Sequence, residues 1–195
     1  MIKVCIADNY PVVRFGVKSY FKDNAEISIV ANVGNFLMVR DILQTKEIDV
    51  LILDLELEGL ASIFEVKALL KNFPKTKIII FSGLSEQIYA PNAIKAGVSG
   101  FVHKSEKLET LGQSIIKVHQ GKIIMNETVK KNLALIAKQS KSERLYRKLS
   151  NREVEVLRYL SDGKKNHEIA DILKLNEKTI STYKLRLLTK LNVTN

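Results

Sequence analysis

Residues 49–54 read DVLILD, a run of four large apolar side chains enclosed by two aspartates. A strand that is apolar at every position, and not at alternate positions, is buried on both faces, which is typical of a parallel sheet. Four similar runs lie at fairly even spacing around it: IKVCIA (2–7), SIVANV (28–33), KIIIFS (77–82) and GFVH (100–103). The sequence therefore predicts five buried strands.

Segments of helical length separate these strands. Their apolar residues recur every three or four positions, and Pro11 suits the first turn of a helix. The predicted helices cover 11–22, 35–44, 62–72, 86–96 and 105–120. Right-handed crossovers place such helices on both faces of a sheet, so we expect an α/β fold with an open, doubly wound five-stranded parallel sheet of Rossmann or flavodoxin type. The order of the strands stays open.

The composition excludes several classes of protein. A chain of 195 residues with 46% hydrophobic and 27% charged residues, 9 Gly and 3 Pro is that of an ordered globular protein. Cys5 is the single cysteine, so the chain has neither an internal disulfide nor a cysteine-based metal site. No apolar stretch approaches the roughly 20 residues that cross a bilayer, and the first residues lack a signal-peptide core. We expect a cytoplasmic protein that does not enter the membrane.

The net charge of +10 lies in the last third of the chain. Residues 1–128 carry 15 basic and 14 acidic side chains, residues 129–148 carry 7 and 1, and residues 149–195 carry 9 and 6. A neutral first part followed by a basic second part predicts that any nucleic-acid contact belongs to the second part. The alternative is a basic surface that is only solvated.

Polar side chains follow the predicted strands at the points where they end. Asp8 and Asn9 follow the first strand, Asp54 ends the third run, Ser82 ends the fourth, and Lys104 follows the fifth. The carboxyl ends of parallel strands meet at one edge of a sheet, so we expect these side chains to lie together. Their oxygens suit Mg²⁺, and the lysine suits a carboxylate or a phosphoryl oxygen. Each residue alone has an ordinary explanation as a cap, a turn or a solvated side chain, and the prediction rests on their joint placement.

This set of residues, in this order, resembles the receiver domain of two-component response regulators over about residues 1–122. The resemblance implies that Asp54 accepts a phosphoryl group from a phosphohistidine of a sensor histidine kinase, while Mg²⁺ and Lys104 neutralise charge on the phosphoryl oxygens. It implies that Ser82 moves toward the phosphoryl group and that the aromatic Phe101 fills the vacated space, as a two-state switch. The Mg²⁺ ligands that it implies are Asp8, Asn9, Asp54 and the backbone carbonyl of Glu56.

Two departures from the receiver pattern concern the metal and the loop after Asp54. Asn9 stands where the family has a second acid, and its neutral amide oxygen predicts a weakened Mg²⁺ site. Residues 54–62 read DLELEGLAS, without the proline, second aspartate and last glycine of the family pattern D-x-x-M-P-G-x-D-G. Glu56 and Glu58 add negative charge, which either disfavours a phosphoryl group or supplies a replacement metal ligand. The sequence leaves both interpretations open.

Residues 149–195 predict three short helices. Ser150 and Glu153 form a capping-box pattern for the first helix, and Asn166 and Asn176 are the predicted caps of the second and third. The third helix has one apolar stripe and one polar face. Its apolar stripe consists of Ile180, Leu187, Leu188 and Leu191.

This stretch resembles the LuxR-type helix-turn-helix, on the segments LSNREVEVL (149–157), NHEIA (166–170), EKTI (177–180) and KL (190–191). The resemblance implies binding to double-stranded DNA through the third helix. The implied base-edge contacts are Ser181, Thr182 and Leu185, and the implied phosphate contacts are Lys178, Thr179, Tyr183, Lys184 and Arg186. The last helix of the family, commonly a dimer contact, would begin where the sequence stops at Asn195. Either the sequence is truncated or the protein dimerises elsewhere, and we expect a homodimer in both cases.

The sequence thus predicts a receiver domain at 1–122, a helical and basic linker at 123–148 and a LuxR-type domain at 149–195. Together the resemblances imply a response regulator of the NarL/FixJ type, a transcription factor controlled by phosphorylation of Asp54. One alternative is an orphan regulator with a degenerate receiver that binds DNA independently of phosphorylation. Another is a phosphatase of the haloacid dehalogenase type, but Glu56 stands where that family has its acid aspartate, so we expect no enzyme.

Overall fold

The computed structural model describes residues 1–127, 129–131 and 149–191 and divides the chain into two compact units, Met1–Leu133 and Ala134–Asn195. In the first unit, all ten predicted elements are present, with ends that differ from the predictions by at most three residues. The strands are β1 (Ile2–Ala7), β2 (Ile27–Val33), β3 (Val50–Leu53), β4 (Lys77–Ser82) and β5 (Gly100–His103). The helices are α1 (Pro11–Tyr20), α2 (Phe36–Thr45), α3 (Ile63–Asn72), α4 (Glu86–Ala96) and α5 (Leu108–His119).

The five strands form one parallel sheet in the order β2-β1-β3-β4-β5. This order settles the open question of topology, because it is that of the flavodoxin-like fold. The chain first adds a strand on one side of β1 and then continues on the other side from β3. A crevice therefore opens at the carboxyl ends of β1 and β3, where ligands bind in sheets of this kind.

The core of the first unit lies on both faces of the sheet. On one face, Val4, Ile6 and Ile52 pack with α1 and α5, and on the other, Cys5 and Leu51 pack with α2, α3 and α4. Successive residues of β3 thus enter opposite cores, which is why that strand is apolar at all four positions. Burial raises the pKa of the Cys5 thiol to about 12.

The chain after α5 remains attached to the first unit. The Ile124 amide donates to the Ser99 carbonyl at 2.8 Å, and the Ile124 carbonyl accepts from the Phe101 amide at 3.2 Å. Asn126 Nδ2 donates to Glu86 Oε2 at 2.6 Å. Ile124, Met125, Asn126 and Val129 belong to the predicted linker and yet pack on this unit. The basic residues of the linker, apart from those in 123–131, lie outside the described residues, and the linker boundaries stay a prediction.

The second unit contains α6 (Asn151–Ser161), α7 (Asn166–Leu173) and α8 (Glu177–Leu191). The buried apolar side chains described in this unit are Leu149, Val154, Val156, Ile169, Ala170, Ile180 and Leu187. Of the predicted stripe of α8, Leu188 and Leu191 are only half-buried. Within the described ranges, no helix combines the length and the hydropathy that crossing a membrane requires.

Two of the three predicted caps of this unit are confirmed and one is wrong. The Ser150 amide donates to Glu153 Oε2 at 2.6 Å and the Glu153 amide donates to Ser150 Oγ at 3.3 Å, as a capping box requires. Asn176 Oδ1 accepts from the Lys178 amide at 2.8 Å. Asn166, however, is the first residue of α7 and not its cap. The preceding residue, Lys165, has an extended backbone, and its amide donates to Glu168 Oε2 at 2.7 Å. The Asn166 side chain is therefore available for another contact.

Candidate functional site

Three charged side chains meet at the carboxyl edge of the sheet. Asp8 and Asp54 follow the central strands β1 and β3, and each is 1% exposed. Lys104 follows β5, and its Nζ lies 2.6 Å from Asp54 Oδ2 and 2.7 Å from Asp8 Oδ2. The structure therefore brings together three residues that are distant in sequence but were predicted to share one edge.

Lys104 keeps its positive charge although it is partly buried. Partial burial by itself lowers the pKa of Lys104, but its hydrogen bonds with Asp54 and Asp8 and their negative charge outweigh that effect. The pKa of Lys104 is consequently raised from its ordinary value, and the ammonium stays protonated at neutral pH. One cation thus faces two buried carboxylates, so the cluster carries a net negative charge.

Backbone groups fix the remaining oxygens of the two carboxylates. Asp8 Oδ1 accepts from the Tyr10 amide at 2.8 Å, and Asp54 Oδ1 accepts from the Glu56 amide at 3.2 Å. Arg14 Nη1 donates to the Asp8 carbonyl at 2.6 Å. The sequence analysis did not identify Arg14 as part of the site, because a residue in the middle of a helix gives no signal that its side chain turns back over the preceding loop.

Asn9 lies beside the carboxylates and bonds the loop that follows β3. Its Nδ2 donates to the Glu56 carbonyl at 2.5 Å, and its Oδ1 accepts from the Glu58 amide at 2.7 Å. Two of the predicted Mg²⁺ ligands, the Asn9 amide and the Glu56 carbonyl, therefore bond one another. Their role as metal ligands stays a prediction.

Two of the predicted ligand side chains suit a divalent cation. The carboxylates of Asp8 and Asp54 offer the hard oxygens that Mg²⁺ prefers, and Asp8 Oδ2 is buried, with no hydrogen bond besides its ion-pair contact with Lys104. No group of three His, Cys, Asp or Glu side chains forms a candidate metal cluster in the described part of the chain. Asn9 stands where the receiver pattern has its second acid, and its side chain is neutral.

The predicted switch residues are both buried. Ser82 is fully buried at the end of β4, and its Oγ accepts from the Leu84 amide at 3.3 Å. The Ser82 carbonyl accepts from the Lys104 amide at 2.9 Å, which places β4 next to the lysine of the site. The Phe101 side chain is 3% exposed and lies in the core that includes Tyr89 and Val98.

The unusual sequence after Asp54 forms an ordered loop. Leu55 and Leu57 are 7% and 2% exposed and join the core beneath α2 and α3. Gly59 has a φ of +82°, which favours glycine, and the Glu58 carbonyl accepts from the Phe36 amide at 2.8 Å. Apolar anchors at alternate positions thus hold this loop, which lacks the proline of the family pattern.

Helix α8 presents a polar face outside the core of the second unit. Ile180 and Leu187 are buried, whereas all eight residues predicted to contact DNA are exposed or half-buried. Leu185, at 66% exposure, is a large apolar side chain among the cations of this face. The exposed basic residues are Lys178, Lys184 and Arg186. In general, cations contact DNA phosphates and apolar side chains contact base edges, and these roles in this chain stay a prediction.

A contact that the sequence analysis missed joins α7 to this face. Asn166 Nδ2 donates to Ser181 Oγ at 3.2 Å, so the residue predicted as a cap instead contacts a predicted base-reading residue. The Thr182 hydroxyl donates to the Lys178 carbonyl at 3.0 Å, along α8 itself. Predicted reading positions are thus already oriented by neighbouring groups.

Comparisons with known proteins assign both units. The family "Response regulator receiver domain" matches residues 4–116, and the family "Bacterial regulatory proteins, luxR family" matches residues 147–195. The chain is a response regulator of the NarL/FixJ type. The Fimbriae Z protein of Salmonella typhimurium is 34% identical to this response regulator over 191 residues, which are 97% of this chain and 90% of that protein.

Solved structures of RcsB resemble the whole response regulator. One is described as two RcsB dimers bound to two parallel DNAs, and its sequence is 27% identical to this chain. The alignment covers 100% of this chain and 93% of the RcsB chain, with a TM-score of 0.63. Another, RcsB from Salmonella enterica serovar Typhimurium bound to promoter P1flhDC in the presence of phosphomimetic BeF3-, is 25% identical, with 100% and 94% coverage and a TM-score of 0.64. The protein is therefore a DNA-binding response regulator.

Proposed function

We propose that this response regulator is a transcription factor whose DNA binding is controlled by phosphorylation of Asp54. The observation that carries the proposal is the contact of Lys104 Nζ with Asp54 Oδ2 at 2.6 Å and with Asp8 Oδ2 at 2.7 Å. A fixed cation next to a carboxylate nucleophile stabilises the charge that develops during phosphoryl transfer. The phosphoryl donor is a phosphohistidine of a sensor histidine kinase.

The reaction exchanges one bond to phosphorus for another. A carboxylate oxygen of Asp54 forms a bond to phosphorus while the bond between phosphorus and the histidine nitrogen breaks, and the leaving imidazole takes up a proton. Lys104 then balances charge on the phosphoryl oxygens, and the Glu56 amide, which donates to Asp54 Oδ1, orients the nucleophile.

The carboxylates of Asp8 and Asp54 would hold Mg²⁺, and the site is weaker than one with a third carboxylate in place of Asn9. When bound, Mg²⁺ supplies positive charge to the phosphoryl oxygens. Asn9 Oδ1 and the Glu56 carbonyl each accept one hydrogen bond, so each oxygen would offer a metal ion its second lone pair.

Phosphorylation is expected to act through β4 and β5. Ser82 precedes the loop to α4, and Phe101 lies in the core against α4, so a movement of the serine toward a phosphoryl group changes the packing of that helix. We propose that this change promotes a homodimer. The two DNA-bound RcsB dimers support this step, because paired reading helices raise both affinity and specificity.

The DNA contacts are proposed on the exposed face of α8. Ser181, Thr182 and Leu185 would contact base edges. The phosphate contacts would come from Lys178, Thr179, Tyr183, Lys184 and Arg186. A cytoplasmic location follows from the proposed contact with chromosomal DNA.

The test of the proposed control is the intact mass of the full chain after incubation with acetyl phosphate and Mg²⁺, followed by size-exclusion chromatography. We expect a mass gain of one phosphoryl group and a shift toward the dimer. The Asp54→Ala variant serves as the control and gains no mass. If the wild-type protein gains no mass at any Mg²⁺ concentration while it still binds DNA, phosphorylation of Asp54 is not the input of this regulator.

A further inference from the structure

The Asn9 side chain connects two loops that rim the site. One bond runs from its Nδ2 to the Glu56 carbonyl, and the other runs from the Glu58 amide to its Oδ1. We call this pair of hydrogen bonds the Asn9 clasp. It spans 47 and 49 positions of sequence and joins the loop after β1 to the loop after β3.

Only an amide makes both bonds of the clasp. An asparagine side chain carries a donor and an acceptor, whereas an ionised carboxylate carries acceptors alone. An aspartate at position 9 could accept from the Glu58 amide, but its second oxygen would face the Glu56 carbonyl oxygen. It would also add a third negative charge beside Asp8 and Asp54, which share one ammonium.

The clasp continues into the second helix. The Glu58 carbonyl accepts from the Phe36 amide, and Asn35, whose Oδ1 accepts from the Met38 amide, caps the same helix end. On the other side, Arg14 Nη1 donates to the Asn9 carbonyl at 3.0 Å. Hydrogen bonds thus run from α1 through Asn9 and the loop after β3 to the start of α2.

We propose that Asn9 is a positioning residue that replaces a metal ion as the bridge between these two loops. A cation at the two carboxylates would attract the Glu56 carbonyl and the side chain at position 9. In this chain the Asn9 clasp holds both groups through hydrogen bonds within the protein. The proposal deepens the proposed function, and it rests on that function only for the identity of the ion.

The test is thermal unfolding of the full chain in EDTA and in millimolar magnesium chloride. The Asn9→Asp variant exchanges the clasp for a metal ligand, and we expect it to unfold at a lower temperature than wild type in EDTA and to recover at least about 4 °C with magnesium. The wild-type protein should gain clearly less. The Asn9→Ala variant removes the clasp without creating a ligand, so its unfolding temperature should be lower in both buffers.

A second readout reports on the clasp directly. Hydrogen exchange of the Glu58 amide should be slow in wild type and at least tenfold faster in Asn9→Ala, measured at a temperature where both proteins are folded. The proposal is overturned if wild type and Asn9→Asp gain equal stability from magnesium, or if Asn9→Ala matches wild type in EDTA and in Glu58 exchange. Neither measurement involves phosphoryl transfer, so a failed acetyl phosphate reaction with these results intact would count against the proposed function alone.

Discussion

Lys104 neutralises much of the negative charge that the fold buries at its carboxyl edge. Asp8 and Asp54 are each almost inaccessible to water, and one ammonium contacts both. Removing the cation from such a cluster leaves unpaired charge in a site of low dielectric, which costs more than the pair itself contributes. The same arrangement therefore affects stability as well as the proposed chemistry.

The Lys104→Met variant should be less stable than wild type by about 3 kcal/mol in EDTA, because two buried carboxylates lose their shared cation. Urea unfolding followed by circular dichroism measures the difference. Lys117→Met, at an exposed position of α5, is the matched control and should change little. The double variant Asp54→Asn, Lys104→Met removes one of the stranded charges and should recover part of the loss. Equal stability of Lys104→Met and wild type would contradict the role given to this contact.

At the scale of elements, the strands were predictable and the helix ends were less so. Burial on both faces makes the strands predominantly apolar, and that signal is local in sequence. The hydrogen bonds of a helix end depend on side chains from elsewhere, as Asn166 demonstrates: it has the character of a cap, but it contacts Ser181 of the next helix.

The candidate site could be predicted where its residues follow strands. Asp8, Asp54 and Lys104 lie at one edge of the sheet for topological reasons, and they could be placed together without a structure. The two bonds of Asn9 depend on the path of the loop after β3, which the sequence left open. That path is set by the burial of Leu55 and Leu57, a tertiary effect with no local signature.

An ion pair links α6 to α8 and makes the stability of the second unit pH-dependent. Lys190 Nζ lies 2.7 Å from Glu153 Oε2, and the Glu153 side chain is buried. Burial by itself raises the pKa of Glu153, but hydrogen bonds from Lys190 and Ser150 outweigh it, and the pKa is lowered from its ordinary value of 4.5. A lowered folded-state pKa means that this stabilisation is present above pH 4.5 and is lost as the pH falls through the folded-state pKa.

Replacing Glu153 by Gln should destabilise α6–α8 by about 2 kcal/mol at pH 7, since a charged hydrogen-bond acceptor is lost. The difference from wild type should shrink as the pH falls from 4.5 through the lower folded-state pKa, because protonation of Glu153 removes the same charge. Hydrogen-exchange protection of peptides from residues 150–191 in the full chain measures both effects. Asp171→Asn, at an exposed position of α7, should show neither effect. A difference that is constant from pH 7 to acid would contradict the assignment to the Glu153 charge.

The polar face of α8 predicts how DNA binding responds to salt. Arg186→Ala should weaken binding to all duplexes to a similar extent and should reduce the slope of log affinity against log salt by about 1, because one phosphate contact is lost. Fluorescence anisotropy over a series of salt concentrations gives this slope. Lys117→Ala, in the other unit, removes the same charge away from the proposed interface and should leave the slope unchanged. An unaltered slope in Arg186→Ala would remove this residue from the interface.

At the scale of the whole molecule, the two units divide the chemistry. The charged cluster of Asp8, Asp54 and Lys104 lies in Met1–Leu133, and the basic reading helix lies in Ala134–Asn195. If the first unit controls DNA binding by the second, phosphorylation must change the free-energy difference between the states that bind DNA and those that do not. Residues 124 and 126 bond β5 and α4, so the chain that leads toward the second unit is attached to the elements that carry the predicted switch.

The central claim is that Asp54 phosphorylation controls DNA binding. The most direct measurement is the affinity of the full chain for a duplex selected from a random pool by the wild-type protein, with and without acetyl phosphate and Mg²⁺, beside Asp54→Ala. We predict that treatment raises the affinity of wild type at least about tenfold, which is 1.4 kcal/mol, and leaves that of Asp54→Ala unchanged. An affinity that treatment does not change in wild type, or that it changes equally in both proteins, would contradict the account.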